Sequence, residues 1–226
     1  MLARVSRYAW VLLSTVLSLG LQGVAPPGAL QQVAVTALAV VAVVLSLHAA
    51  PFPPWLVTGA TALAVVLLAA SVVEATVGGI GEGAARAMNA ALVAIGPPAI
   101  AYGVLYDLRT TRRVRLQSVL GVLSLYILVG MLFAFVYGAI DILGDEPFFA
   151  NREDATISEC LYFSFITLTT VGYGDFTASS DLGHTLSMFE ALLGQIYLVT
   201  VVSVLVSNLG RPRLPDRAAT GPPRSE

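Results

Sequence analysis

Ten consecutive residues, Thr167-Leu168-Thr169-Thr170-Val171-Gly172-Tyr173-Gly174-Asp175-Phe176, form the one stretch of this 226-residue chain whose backbone oxygens could do chemistry. Successive carbonyls of Thr170, Val171, Gly172 and Tyr173, if aimed at one axis, can replace the water around a dehydrated cation. Carbonyls of consecutive residues face the same way only when the backbone alternates between right- and left-handed dihedrals. Glycine alone enters the left-handed region without a Cβ penalty, which accounts for Gly172 and Gly174. One chain supplies one such strand, and a closed ring of carbonyls needs about four, so the pattern implies a homotetramer with the ion path on its symmetry axis. A Gly/Tyr turn between two helices is the alternative reading. Against it stand Thr169-Thr170-Val171 before the glycines, Asp175 after them and a long apolar segment on each side. Other chemistry is poorly supplied. A single cysteine, Cys160, excludes an intrachain disulfide, nothing has the spacing of a transition-metal site, and no nucleophile–base pair is legible, so neither an enzyme nor a bound cofactor is expected.

The elements that must position this stretch lie in a membrane. The chain is 57% hydrophobic and only 12% charged, where a soluble domain carries about twice that charge. Six apolar stretches approach the roughly 20 residues that cross a hydrocarbon core: Tyr8 to Val24, Leu30 to Ala50, Trp55 to Val77, Ala84 to Leu108, Leu116 to Ile140 and Thr185 to Leu209. With the N-terminus cytoplasmic, ten of the twelve basic residues fall inside, leaving Arg86 and Arg152 outside. Most acidic residues fall at the outer ends, where they raise the local cation concentration. Both termini are therefore expected in the cytoplasm.

Residues Thr169 to Asp175 resemble the signature of tetrameric pore-loop potassium channels, and the six-helix plan resembles that of bacterial members. The resemblance implies an all-α membrane protein: six transmembrane helices, a re-entrant pore helix and a selectivity-filter loop, assembled as a homotetramer around a central pore. It further implies that K⁺ is held by Thr170, Val171, Gly172 and Tyr173, with Gly174 completing the filter and the Thr170 hydroxyl adding to the innermost site. Tyr173 should pack its ring against Tyr162, Phe163 or Phe165. Asp175 resembles the family's aspartate behind the filter, and the Tyr162 phenol could serve as its partner. Where many relatives have a proline after that aspartate, this chain reads Phe176-Thr177-Ala178, so a less rigid outer mouth is expected.

Three regions follow in chain order. Residues 1–115 read as a four-helix peripheral domain, rich in small residues that let helices approach closely in lipid. A voltage-sensing fourth helix needs Arg or Lys at about every third position, because each charge moved is worth about 2.3 kcal/mol per 100 mV. From Met88 to Leu108 there is none, and Pro97 and Pro98 predict a kink instead. Arg109, Arg112, Arg113 and Arg115 then cap the cytoplasmic end and could attract anionic lipid headgroups.

Residues 116–209 read as a pore domain with an outer helix over 116–140, a pore helix over 156–169, a filter over 170–174 and an inner helix over 185–209. Thr156 and Glu159 have capping-box spacing, which sets the pore helix start. Its C-terminal end would point at the membrane centre, favouring a cation there. Glu190 is a carboxylate in an apolar helix and needs a partner, for which Ser164 and Thr167 are candidates; it is expected to support the filter. Gly194 resembles the family's hinge glycine, while close helix packing explains it equally. Gln195, Leu198, Val202 and Val206 recur on one helix face, expected to line a cavity and its gate. Residues 210–226 read as a disordered cytoplasmic tail with no room for a ligand-binding regulatory domain.

The expectation is a potassium-selective channel of the plasma membrane, passive and not strongly voltage-gated. Its partners would be itself, K⁺ and membrane lipid, with no nucleic acid. A weakly selective cation channel and a non-conducting scaffold or regulatory subunit are the alternatives.

Overall fold

Apolar runs bounded by Pro, Gly and capping residues give seven helices and a short helical stretch over 91–94 among the described residues, which in this computed structural model are 2–24, 29–49, 52–77, 88, 91–111, 116–151 and 155–209. The helices are α1 (Leu2–Val24), α2 (Ala29–Ala49), α3 (Pro54–Val77), α4 (Gly96–Thr111), α5 (Leu116–Leu143), α6 (Ile157–Leu168) and α7 (Asp181–Leu209). Among the described residues β-type pairing is limited to one antiparallel bridge, between Phe149 and Ala178. By length and hydropathy, Pro54–Glu74 and Val119–Leu143 qualify as membrane-crossing helices among the described residues, and Tyr8–Val24, Val33–His48 and Ala91–Gly103 are shorter apolar helices.

Packing joins neighbours in sequence and then folds the two ends of the chain together. α1 lies on α2 and α2 on α3, while α1 and α4 both pack against α5 of the same chain. α6 is wedged between α5 and α7. In the α1–α4 group most buried polar groups are hydroxyls and amides bonded within or between helices, while Gln22 Oε1 and Thr61 Oγ1 meet no hydrogen-bond partner among the described residues. Ser14 and Ser46 donate to carbonyls one turn back at 2.9 and 2.6 Å, and Thr36 pairs with Ser71 across α2 and α3 at 3.2 Å. Gln31 reaches from α2 to the Leu21 carbonyl of α1 at 3.3 Å. Small and β-branched residues such as Ala39, Ala42, Val43 and Ala64 fill the space between.

Four helices depart from the sequence reading by more than one residue at an end. The fourth segment is interrupted by a turn at Ile95, just ahead of Pro97 and Pro98, so that α4 starts at Gly96 with both prolines in its first turn. A first turn has no intrahelical acceptors for its N–H groups, so proline costs nothing there. Residues 84–87 of that segment lie outside the described residues. The outer helix runs on to Leu143 rather than Ile140, its last turn closed by the Gly144 N–H on the Ile140 carbonyl at 2.8 Å. The inner helix starts at Asp181, not Thr185, because the Ser180 side chain accepts the Gly183 N–H at 3.2 Å and so caps it, with acidic Asp181 in the first turn. α1 begins at Leu2, ahead of the apolar run. The tail over 210–226 lies outside the described residues.

Candidate functional site

The site is built on α6. Thr156 sits at its N-cap in extended backbone (φ −75°, ψ 153°) and accepts the Glu159 N–H at 3.2 Å. The Glu159 carboxylate in turn accepts the Thr156 N–H at 2.9 Å, completing a capping box. At the other end the helix does not simply stop. The Ile166 carbonyl accepts both the Val171 and Gly172 N–H groups, at 2.8 and 3.1 Å, and the Thr167 carbonyl accepts Thr170 at 2.9 Å. The chain is thereby bent sharply back beside its own helix.

Beyond that turn the backbone alternates in handedness. φ is +59° at Thr170, +54° at Gly172 and +79° at Gly174, while Val171 and Tyr173 do not enter the positive region. Two glycines take this conformation without penalty. Thr170 is β-branched, and a side chain of that kind in the left-handed region stores strain of roughly 1–3 kcal/mol. The sequence indicated the two glycines; the third left-handed residue carries no signature of its own. In the single chain this strand lies open, with Val171 50% and Tyr173 72% exposed. In the single chain the Tyr173 ring makes no ring–ring contact among the described residues. Phe163 is taken by Tyr137, Phe148 and Phe149, and the Phe165 ring covers Gly130.

Behind the strand, Tyr162 donates to Asp175 Oδ2 at 2.8 Å, while Asp175 Oδ1 accepts the Phe176 N–H at 3.1 Å. Asn151 donates to the Asp175 carbonyl at 2.8 Å. The segment without the proline is well tied: Phe176 packs on Phe149 and Tyr162, Ala150 N–H reaches the Thr177 carbonyl at 2.9 Å, and Ser179 N–H the Phe148 carbonyl at 2.8 Å. Asp141, at the end of α5, accepts the Phe148 N–H at 2.8 Å and the Ala155 N–H at 2.9 Å, pinning both ends of the preceding loop.

Glu190 is fully buried and joins three helices. Its Oε2 accepts the Tyr137 hydroxyl of α5 at 2.6 Å, and its Oε1 contacts the Ser164 hydroxyl of α6, which lies 2.7 Å from the Gly130 carbonyl. Of the two candidate hydroxyls Ser164 is used and Thr167 is not; the second partner is Tyr137, and a tyrosine inside an apolar helix is itself a signal that its hydroxyl needs a partner. One turn further, Gly194 lies so close to α6 that a Cβ there would meet the Leu168 carbonyl oxygen, and α7 continues unbroken past it. In this conformation the glycine lets α7 approach α6 closely. Gln195 and Leu198 stand exposed on α7; the side chains of Val202 and Val206 lie outside the described residues. Arg109 falls near the end of α4, and Arg112, Arg113 and Arg115 lie outside the described residues.

Residues 121–211, which contain this whole arrangement, match a family model described as "Ion channel". Among curated proteins, the calcium-activated potassium channel slowpoke of Drosophila melanogaster is 28% identical over 103 residues, 46% of this chain and 8% of that protein. The inward rectifier potassium channel Kirbac3.1 of Paramagnetospirillum magnetotacticum is 32% identical over 89 residues, 39% of this chain and 28% of that protein. Potassium channel subfamily K member 16 of Mus musculus is 31% identical over 100 residues, 41% of this chain and 32% of that protein. The chain spans at most about a third of the length of these relatives. No solved structure matches the chain significantly. Residues 121–211 thus match an ion-channel model, and the described part of that segment is predominantly α-helical. Over these residues the chain is similar to potassium channels of several kinds.

Proposed function

We propose that four copies of this chain assemble around a central axis and conduct K⁺ passively across the plasma membrane. The observation that carries the reading is the alternation of handedness at Thr170, Gly172 and Gly174. With every second residue left-handed, the carbonyls of Thr170, Val171, Gly172 and Tyr173 can turn to one side and, in a ring of four chains, replace a hydration shell. The exposed Val171 and Tyr173, and the exposed Leu192, Leu193, Ile196 and Val199 of α7, supply the apolar surface for contact with other copies and with lipid.

In this reading α6 is the pore helix, entering from outside, and its C-terminal carbonyls favour a cation at the membrane centre. Tyr162, Asp175 and Glu190 hold the filter from behind. Gln195 and Leu198, exposed in the single chain, face the cavity, with Val202 and Val206 below them at the gate. Both termini are cytoplasmic across six spans, and Arg109, Arg112, Arg113 and Arg115 meet anionic headgroups. K⁺ is the permeant ligand, with no further cofactor and no catalytic step. The fourth helix, lacking basic residues up to Arg109, makes gating only weakly dependent on voltage.

Purified protein in liposomes tests the proposal. Barium-blockable uptake of rubidium but not sodium is expected. Equal uptake of both ions would make it a weakly selective cation channel, and uptake of neither a non-conducting scaffold or regulatory subunit.

A further inference from the structure

Three oxygens around Glu190 compete for too few hydrogens. The Gly130 carbonyl can only accept, so at 2.7 Å from Ser164 Oγ it must take the serine hydrogen. Ser164 carries no second one, yet its Oγ also contacts Glu190 Oε1. Tyr137 places its own hydrogen on Oε2 at 2.6 Å. The contact between Ser164 and Oε1 is therefore a hydrogen bond only if the hydrogen sits on Glu190. Two lone pairs pressed together in a fully buried site would repel each other instead.

We propose that Glu190 carries a hydrogen on Oε1 and donates it to Ser164, completing a one-way chain from Tyr137 through Glu190 and Ser164 to the Gly130 carbonyl. The chain crosses from α5 to α7 to α6 and back to α5, so it bolts together the three helices that carry the carbonyl strand. A half-filled network at this depth would cost more than an apolar one, so the hydrogen on Glu190 is what makes a carboxyl tolerable here. The groups facing it are the Tyr137 and Tyr126 phenols from α5 and Ser164 from α6, with Cys160 of α6 and Ser187 of α7 beside Tyr137. None of these supplies a positive charge. Glu190 is a positioning residue: it acts on the strand through α6 and touches no permeant ion, and its effect on conduction rests on the potassium-channel reading above.

Infrared difference spectroscopy of the full-length protein in lipid, wild type minus Glu190→Gln, tests the assignment. The expected result is the carbonyl stretch of a protonated carboxyl group, present in wild type and lost in the variant. The Ser164→Ala protein, which keeps Glu190, should move that band to higher frequency by removing the acceptor. Because an amide can accept from Tyr137 and donate to Ser164, Glu190→Gln should also retain rubidium uptake. Raising the pH should reduce wild-type uptake, as the hydrogen leaves Glu190, while leaving the Gln variant flat. Carboxylate stretches in place of the carboxyl band would overturn the proposal. So would a carboxyl band indifferent to Ser164→Ala. The infrared result stands whether or not the protein conducts, so failure of the hydrogen assignment and failure of the channel reading are told apart.

Discussion

Helices α1–α4 and helices α5–α7 both pack largely through apolar side chains, yet their buried polar contacts differ in kind. In the first group the buried polar contacts are hydroxyls folded back on their own helices and single ties such as Thr36–Ser71, spread among alanine and valine. In the second, side chains far apart in sequence meet in specific pairs: Tyr137 with Glu190, Glu190 with Ser164, Tyr162 with Asp175, Asp141 with two backbone amides. The family match falls on the second group alone. Packing in lipid asks only for small residues that let backbones approach, which many sequences satisfy. Holding a strand of carbonyls at a fixed radius asks for particular atoms at particular places, and that demand is readable.

The comparison is broken most severely at the strand itself. Gly172→Ala should abolish rubidium uptake while leaving the oligomer intact. A Cβ at Gly172 meets nothing within 4 Å, so the effect would be conformational: roughly 1–2 kcal/mol for each left-handed L-residue, and roughly fourfold that in a tetramer. Uptake assays paired with chemical cross-linking check it, and normal flux would contradict the backbone geometry.

Gly194→Ala comes next. Its Cβ would collide with the Leu168 backbone carbonyl, which cannot rotate away, so α7 must separate from α6. Overpacking of this kind costs about 1–3 kcal/mol per chain, read as a lowered melting temperature of the assembly. Tyr162→Phe removes one hydrogen bond to a carboxylate that is exposed in the single chain; the rubidium-to-sodium uptake ratio should fall by roughly tenfold or less.

Changes in α1–α4 should matter least. Thr36→Ala combined with Ser71→Ala removes a buried pair worth about 0.6 kcal/mol in a membrane, lowering thermal stability slightly and leaving ion selectivity untouched. A loss of selectivity in this double variant would erase the distinction between the two groups. Conductance should likewise vary weakly with voltage, and a steep curve carrying several gating charges per chain would reveal a sensor in these helices.

What the sequence disclosed follows the same division. Glycine spacing marked residues 172 and 174, Thr156 and Glu159 marked the start of α6, and short sequence distance sufficed to pair Tyr162 with Asp175. Long-range partners were harder. Tyr137 lies 53 residues from Glu190, and periodicity puts it on a helix without saying which helix it meets. The Gly194 contact with Leu168 depends on the crossing of α6 and α7, which no local pattern encodes. In the fourth segment, Pro97 and Pro98 signalled a break but not its side. Proline is tolerated in a first turn and disfavoured in an interior, so the helix restarts before the pair.

The central claim, that backbone oxygens of four chains select K⁺, is tested most directly by the reversal potential of the purified protein in a planar bilayer, with K⁺ on one side and Na⁺ on the other. The account predicts a current that reverses close to the potassium equilibrium potential and disappears in Gly172→Ala. A reversal near zero, with both ions carrying current, would contradict it.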